Sequence, residues 1–175
     1  TCPYDKQVIV VVNGRCDETE ELLKLQPEVD IVRCDNLSPA EARNLGVMQA
    51  NGDFIVFLDD DACISSDYFV QAERALQSNP DVQILGGPDS TFPDAGDKEQ
   101  SIGMALQSPF VTGPTCLRHG GMTGNRETRE ATESSLILCN LWVHRTIFAD
   151  KGYLFDKRFW RNEENVLLHQ LRREK

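Results

Sequence analysis

Residues 54–61 read FIVFLDDD, and this stretch decides the fold. Five consecutive apolar residues, β-branched and aromatic, make a short strand that is apolar on both faces, as in a sheet covered by helices on each side. Three aspartates, Asp59, Asp60 and Asp61, stand at its carboxyl end. They repel one another and bring nothing apolar with them, so packing does not explain them. A hard divalent cation does. Mg²⁺ and Mn²⁺ take oxygen ligands, commonly one or two protein carboxylates, and keep positions open for substrate phosphates. The plainer reading is a solvated acidic turn ahead of a helix that starts near Ser66.

Upstream, residues 7–12 (QVIVVV) form a continuous β-branched run, again a strand expected to be buried on both faces. Asn13-Gly14 ends it. Asp17-x-x-Glu20 then reads as a capping box opening a helix through Leu25, stopped by Pro27. Residues 30–33 are a second strand. Ser38-Pro39-Ala40-Glu41 is a stronger helix start, with Ser at the N-cap, Pro at N1 and Glu at N3. Downstream, residues 66–78 predict a helix and 82–85 a strand. Residues 98–107 predict a further helix, 134–143 a strand, and 162–173 a last helix with Asn162 as its cap. This alternation implies βαβ units, a mainly parallel sheet and a site at the carboxyl ends of the strands. Residues 117–133 are polar, Gly-containing and aperiodic, which marks a functional or disordered loop.

A chain of 175 residues is expected to form one domain, residues 1–175. Its net charge of −10 argues against nucleic acid as a partner, since a phosphate-backbone binder needs a basic face. No run approaches the roughly 20 apolar residues of a transmembrane helix. The six cysteines have no CxxC pair and no metal-type spacing. Cys16, Cys63 and Cys139 sit in or beside predicted elements, as buried free thiols do. Reduced cysteines point to the cytoplasm, with any membrane association residing in parts of a full-length protein outside this chain.

Three ordered motifs resemble the inverting family 2 glycosyltransferases of the GT-A fold. They are Ala42-Arg43-Asn44-Leu45-Gly46, then Ala50-Asn51-Gly52-Asp53 leading into FIVFLDDDA, then Gly152-Tyr153-Leu154-Phe155-Asp156 with Phe159-Trp160-Arg161-Asn162-Glu163-Glu164. VVVNGRCDETEELL stands where that family has its second strand and base-binding turn, so the resemblance covers about residues 7–173. It implies a Rossmann-like, mainly parallel sheet flanked by helices. It also implies a metal-dependent transfer of sugar, with inversion, from a nucleotide-sugar donor (UDP by default) to a saccharide or lipid-linked acceptor.

On matching positions, the resemblance assigns Mn²⁺ or Mg²⁺ to Asp61 and Asp59, with Asp59 and Asp60 also on the nucleotide-sugar side. Arg43 and Asn44 would lie beside the nucleotide; without the motif, Arg43 is an exposed helix residue pairing with a neighbouring acid. Asn13 and Asp17 match the base-binding turn, although Val12-Asn13 replaces a common pair of aspartates and Asp17 also reads as a helix N-cap. Glu164 matches the family's catalytic base, with Glu163 in reserve; both also suit the N-terminal dipole of the last helix. A glutamate with an ordinary pKa of about 4.3 is ionised at neutral pH and available as a base.

Gly86-Gly87-Pro88 and Thr112-Gly113 read as turns walling an acceptor cleft. Arg118 would meet an anionic acceptor, with Asn140 and Trp160 as further acceptor-side residues. His119, His144 and His169 read as surface or capping residues. The family's first strand has no counterpart here: Thr1-Cys2-Pro3 resembles the tail of the loop before the second, and residues 173–175 leave the last helix uncapped. The chain therefore reads as a fragment expected to show little transfer by itself. A non-catalytic glycosyltransferase-like module with a binding role is the alternative.

Overall fold

The computed structural model describes residues 5–120 and 128–173. Thr1-Cys2-Pro3, the middle of the polar loop at 121–127 and Glu174-Lys175 lie outside the described residues. In chain order the elements are β1 (Val8–Asn13), α1 (Asp17–Lys24), β2 (Val29–Cys34), α2 (Pro39–Gln49), β3 (Phe54–Phe57) and α3 (Tyr68–Ser78). Then come β4 (Ile84–Gly86), α4 (Asp97–Leu106), α5 (Pro109–Thr112), β5 (Leu141–His144), α6 (Thr146–Ala149) and α7 (Glu163–Arg173). Two compact units divide the chain: Val56–Val143 is the second, and the residues before and after it form the first.

In the first unit β1 and β2 pair in parallel, from Val8 opposite Val29 to Asn13 opposite Cys34. The crossover is α1, as a parallel pair requires. Helix α2 begins as its sequence dictates. Ser38 Oγ accepts from the Glu41 amide, and the Glu41 carboxylate accepts from the Ser38 amide. The Asp17 box does not form. Cys16 occupies the N-cap without a side-chain bond, because Asp17 takes Arg15 and Glu20 takes the Arg33 guanidinium through both oxygens. Two nearby arginines outcompete the helix's own amides for these acids. Ala40, Val47, Ile147, Phe148, Phe155, Leu167 and Leu168 are the buried apolar residues of this unit beside Val12. Strand β1 is less buried than its β-branched run predicts: only Val12 is fully covered, since a two-stranded ribbon leaves solvent at its margins.

The second sheet has the order β3-β5-β4, and β4 runs antiparallel to β5 with Leu85 opposite Trp142. The expectation of parallel pairing thus holds for β1–β2 and fails for β4–β5. The predicted strand at 134–143 is also shorter. A 3₁₀ turn at Leu138–Asn140 precedes β5, and residues 134–137 lie outside any strand. Gly86 and Gly87 explain the turn. A Cβ on Gly86 would stand 2.6 Å from Leu136 Cδ2, and one on Gly87 would stand 2.7 Å from Asn140 Nδ2. The bare backbone lets the 136–140 segment close onto the end of β4. The polar loop begins inside a 3₁₀ helix, Gly113–His119, that sequence periodicity does not reveal.

Candidate functional site

Asp59, Asp60 and Asp61 follow β3 one residue on, after Leu58, and are exposed. The Ala62 amide donates to the Asp59 carbonyl at 3.1 Å, so the three carboxylates ride on a turn at the carboxyl end of the strand. Their field is felt by a neighbour in the same unit. The Cys139 thiol is pushed up to about 11, first by burial and then by the charges of Asp59, Asp89 and Asp61. At pH 8 the shift from 9.0 to about 11 leaves roughly a hundredfold less thiolate, the form that reacts. Iodoacetamide should therefore label Cys139 slowly, and Asp61→Asn, by removing one negative charge, should speed it. An unchanged rate would show that the Asp61 charge does not reach this thiol. Cys16 and Cys63 are exposed, against the expectation of buried thiols; of the described cysteines Cys116 is the buried one.

Among the described residues, no group of three or more His, Cys, Asp or Glu side chains is arranged to hold a metal ion unaided. The donors at 59–61 are all oxygens, the kind that Mg²⁺ and Mn²⁺ take.

In the first unit, the candidate residues hold one another and the backbone. Arg43 Nη1 donates to Glu163 Oε1; the glutamate side chain is 4% exposed and the arginine 28%. Asn44 donates to the Phe155 carbonyl at 2.9 Å and accepts from the Phe155 amide at 3.0 Å, copying a backbone pairing. Consecutive residues of α2 thus pin the segment that leads to Glu163 and Glu164, both buried in the first turn of α7. Asn162 precedes them with φ of 59°, a left-handed conformation that Asn tolerates better than most residues. Arg158 donates to both oxygens of Asp156 and holds its carboxyl down to about 2.

Asn13 likewise spends its amide on backbone, donating to the Leu37 carbonyl at 2.8 Å and accepting from the Leu37 amide. Asp17 is an exposed partner of Arg15, and Trp160 is exposed ahead of α7. In the second unit, Arg118 donates to the carbonyls of Glu133 and Ser134, so its guanidinium is used to tie the chain. Asn140 accepts from the Tyr68 hydroxyl, which accepts in turn from Trp142 Nε1; both bonds are 2.8 Å. These contacts give Arg118 and Asn140 structural work within the second unit. His119, read as a surface residue, instead pairs with Asp89 at 2.6 Å. Thirty residues separate the two, and no local pattern announces the pairing.

These features define an α/β protein with carboxylates gathered at a strand's carboxyl end. The chain belongs to glycosyl transferase family 2, whose family model, described as "Glycosyl transferase family 2", matches residues 2–150. It is 31% identical over 121 residues to an uncharacterized glycosyltransferase of Escherichia coli K12, YibD, covering 65% of this chain and 35% of that protein. It is 29% identical over 122 residues to the succinoglycan biosynthesis protein ExoM of Rhizobium meliloti, covering 63% of this chain and 40% of that one. The chain thus spans well under half the length of these relatives. The crystal structure of S. aureus TarS 1-349 in complex with UDP superposes with a TM-score of 0.61 at 14% identity, over 93% of this chain and 44% of that one. That likeness shows the fold, the GT-A form of the Rossmann-like α/β arrangement. Among the described residues, no helix is long and apolar enough to cross a membrane.

Proposed function

We propose that this chain serves a glycosyltransferase that moves a sugar, with inversion, from a nucleotide-sugar donor, UDP by default, to a saccharide or lipid-linked acceptor. The observation that carries the reading is the exposed Asp59–Asp61 turn at the end of β3 in a member of this family. A solved fold-relative holds UDP, and one relative is named for polysaccharide biosynthesis; both support a nucleotide-sugar donor and a saccharide product. The cytoplasm suits such a donor.

Asp61 and Asp59 would hold Mn²⁺ or Mg²⁺, which neutralises a diphosphate and acts as a Lewis acid toward the leaving group. Asp60 would lie on the donor side. Glu164 would take the proton from the acceptor hydroxyl. Glu163, whose carboxylate accepts from Arg43, is the reserve candidate. Arg43 and Asn44 then act by holding the segment that carries the base, in addition to any contact with the nucleotide; Asn13 and Asp17 would border the base.

The test is UDP release from UDP-glucose, UDP-galactose and UDP-N-acetylglucosamine by the full protein with Mn²⁺. At least one donor should be turned over, with loss of activity in EDTA and recovery on adding Mn²⁺. Release that EDTA leaves untouched would remove the metal from the account. No release from any donor, with or without saccharide acceptors, would contradict the UDP-dependent transfer.

A further inference from the structure

Residues 101–117, SIGMALQSPFVTGPTCL, contain no charged residue, in a chain that is 26% charged overall. They span the second half of α4, all of α5 and the start of the 3₁₀ helix Gly113–His119. Helices α4 and α5 pack against each other within the second unit. Apolar side chains nevertheless face solvent here. Ile102 is half exposed, Met104 and Val111 are two-thirds exposed, and Phe110 is 99% exposed. The Phe110 ring adds nothing to the core, and the backbone alone sets its place. Pro109 opens α5 where a helix needs no N–H, and Gly113 closes it with φ of 58°.

The polar groups of this stretch are turned inward. Ser101 Oγ donates to the Asp97 carbonyl at 2.7 Å, Thr112 Oγ1 to the Leu106 carbonyl at 2.8 Å, and Thr115 Oγ1 to the Thr112 carbonyl at 2.7 Å. The amides of Gln107, Ser108, Val111 and Thr112 donate to carbonyls one turn back. Hydroxyls and amides satisfied from within lose little when water is withdrawn. The segment is therefore built to enter an apolar medium at small cost.

An exposed apolar patch of this kind marks an interaction surface. Its shape and charge select the partner. A ring that is 99% exposed projects clear of its neighbours and is not the floor of a groove. A bilayer accepts a projecting ring without a matching pocket, and an uncharged segment needs no opposite charge there.

We infer that the 102–111 face of the second unit docks on a zwitterionic lipid surface, with Phe110 inserted at the boundary of headgroups and acyl chains. This goes beyond the transferase reading and does not rest on it. It places a membrane contact inside the chain, in contrast to the expectation that any such contact lies outside residues 1–175.

The test is flotation of the full protein with phosphatidylcholine vesicles, at about 0.1 M and about 0.5 M NaCl. Wild type should float equally at both salt concentrations, because insertion is apolar and salt screens only charge. Phe110→Ser should bind about tenfold or more weakly, whereas Phe110→Trp should bind at least as well as wild type. The melting temperature and UDP affinity of Phe110→Ser should match wild type, since the ring touches nothing that holds the fold. The inference is overturned if wild type does not float, if Phe110→Ser floats as well, or if binding vanishes at the higher salt. A lowered melting temperature in Phe110→Ser would show that another part of the full protein covers the ring, and would overturn it too. Sedimentation velocity without lipid tests the remaining occupant. A wild-type dimer that Phe110→Ser converts to monomer would assign the face to a second copy and overturn the lipid assignment.

Discussion

Glu164→Gln in the full protein should lower turnover by about 10²–10⁴-fold and leave donor affinity nearly unchanged, the pattern of a lost general base. The amide keeps the shape and the hydrogen-bonding reach of the carboxylate but cannot take a proton at neutral pH. Glu163→Gln should be milder in turnover, because Glu164 is the second carboxylate of the motif, the position that matches the base. Single-turnover rates measured beside UDP affinity separate the two roles. If Glu163→Gln is the more damaging change, the base is Glu163 and Glu164 is the supporting acid. If neither matters, the pair serves only the positive end of the α7 dipole.

Arg43→Ala should be the most destabilising single change among the candidate residues. It leaves Glu163, whose side chain is 4% exposed, as a buried carboxylate without its guanidinium partner. Breaking such a pair from one side typically costs about 3–5 kcal/mol, whereas replacing both members with apolar residues costs far less. Urea unfolding of wild type, Arg43→Ala and the double variant Arg43→Met/Glu163→Met checks this. Most of the lost stability should return in the double variant. A single variant as stable as wild type would mean that Glu163 finds another partner or takes up a proton.

The elements that residues announce locally were legible in the sequence. The Ser38–Glu41 box needs only residues three apart in the chain, and FIVFL followed by aspartates places the turn at the end of β3 without reference to anything distant. Where a competing partner lies far along the chain, legibility ends. Asp17-x-x-Glu20 has the same outward form as the Ser38 box, yet Glu20 is taken by Arg33 on β2. Asn13 and Asn44 are each paired with a backbone amide and carbonyl, at Leu37 and Phe155, and no local pattern announces either pairing. The antiparallel β4–β5 pair escapes the βαβ argument because two helices and two 3₁₀ segments, not one crossover helix, lie between its strands among the described residues. His119 and Asp89 carry no shared motif, so their pairing required the fold.

Asp61, with Asp59, is proposed to hold a divalent cation that in turn holds a nucleoside diphosphate. The most direct measurement is calorimetry of UDP binding to the full protein, with Mn²⁺ and with EDTA, comparing wild type with Asp61→Ala. Wild type should bind UDP far more tightly with Mn²⁺ than with EDTA, and Asp61→Ala should lose that difference. Equal Mn²⁺-dependent affinity in the two proteins would contradict the claim and remove Asp61 from the site.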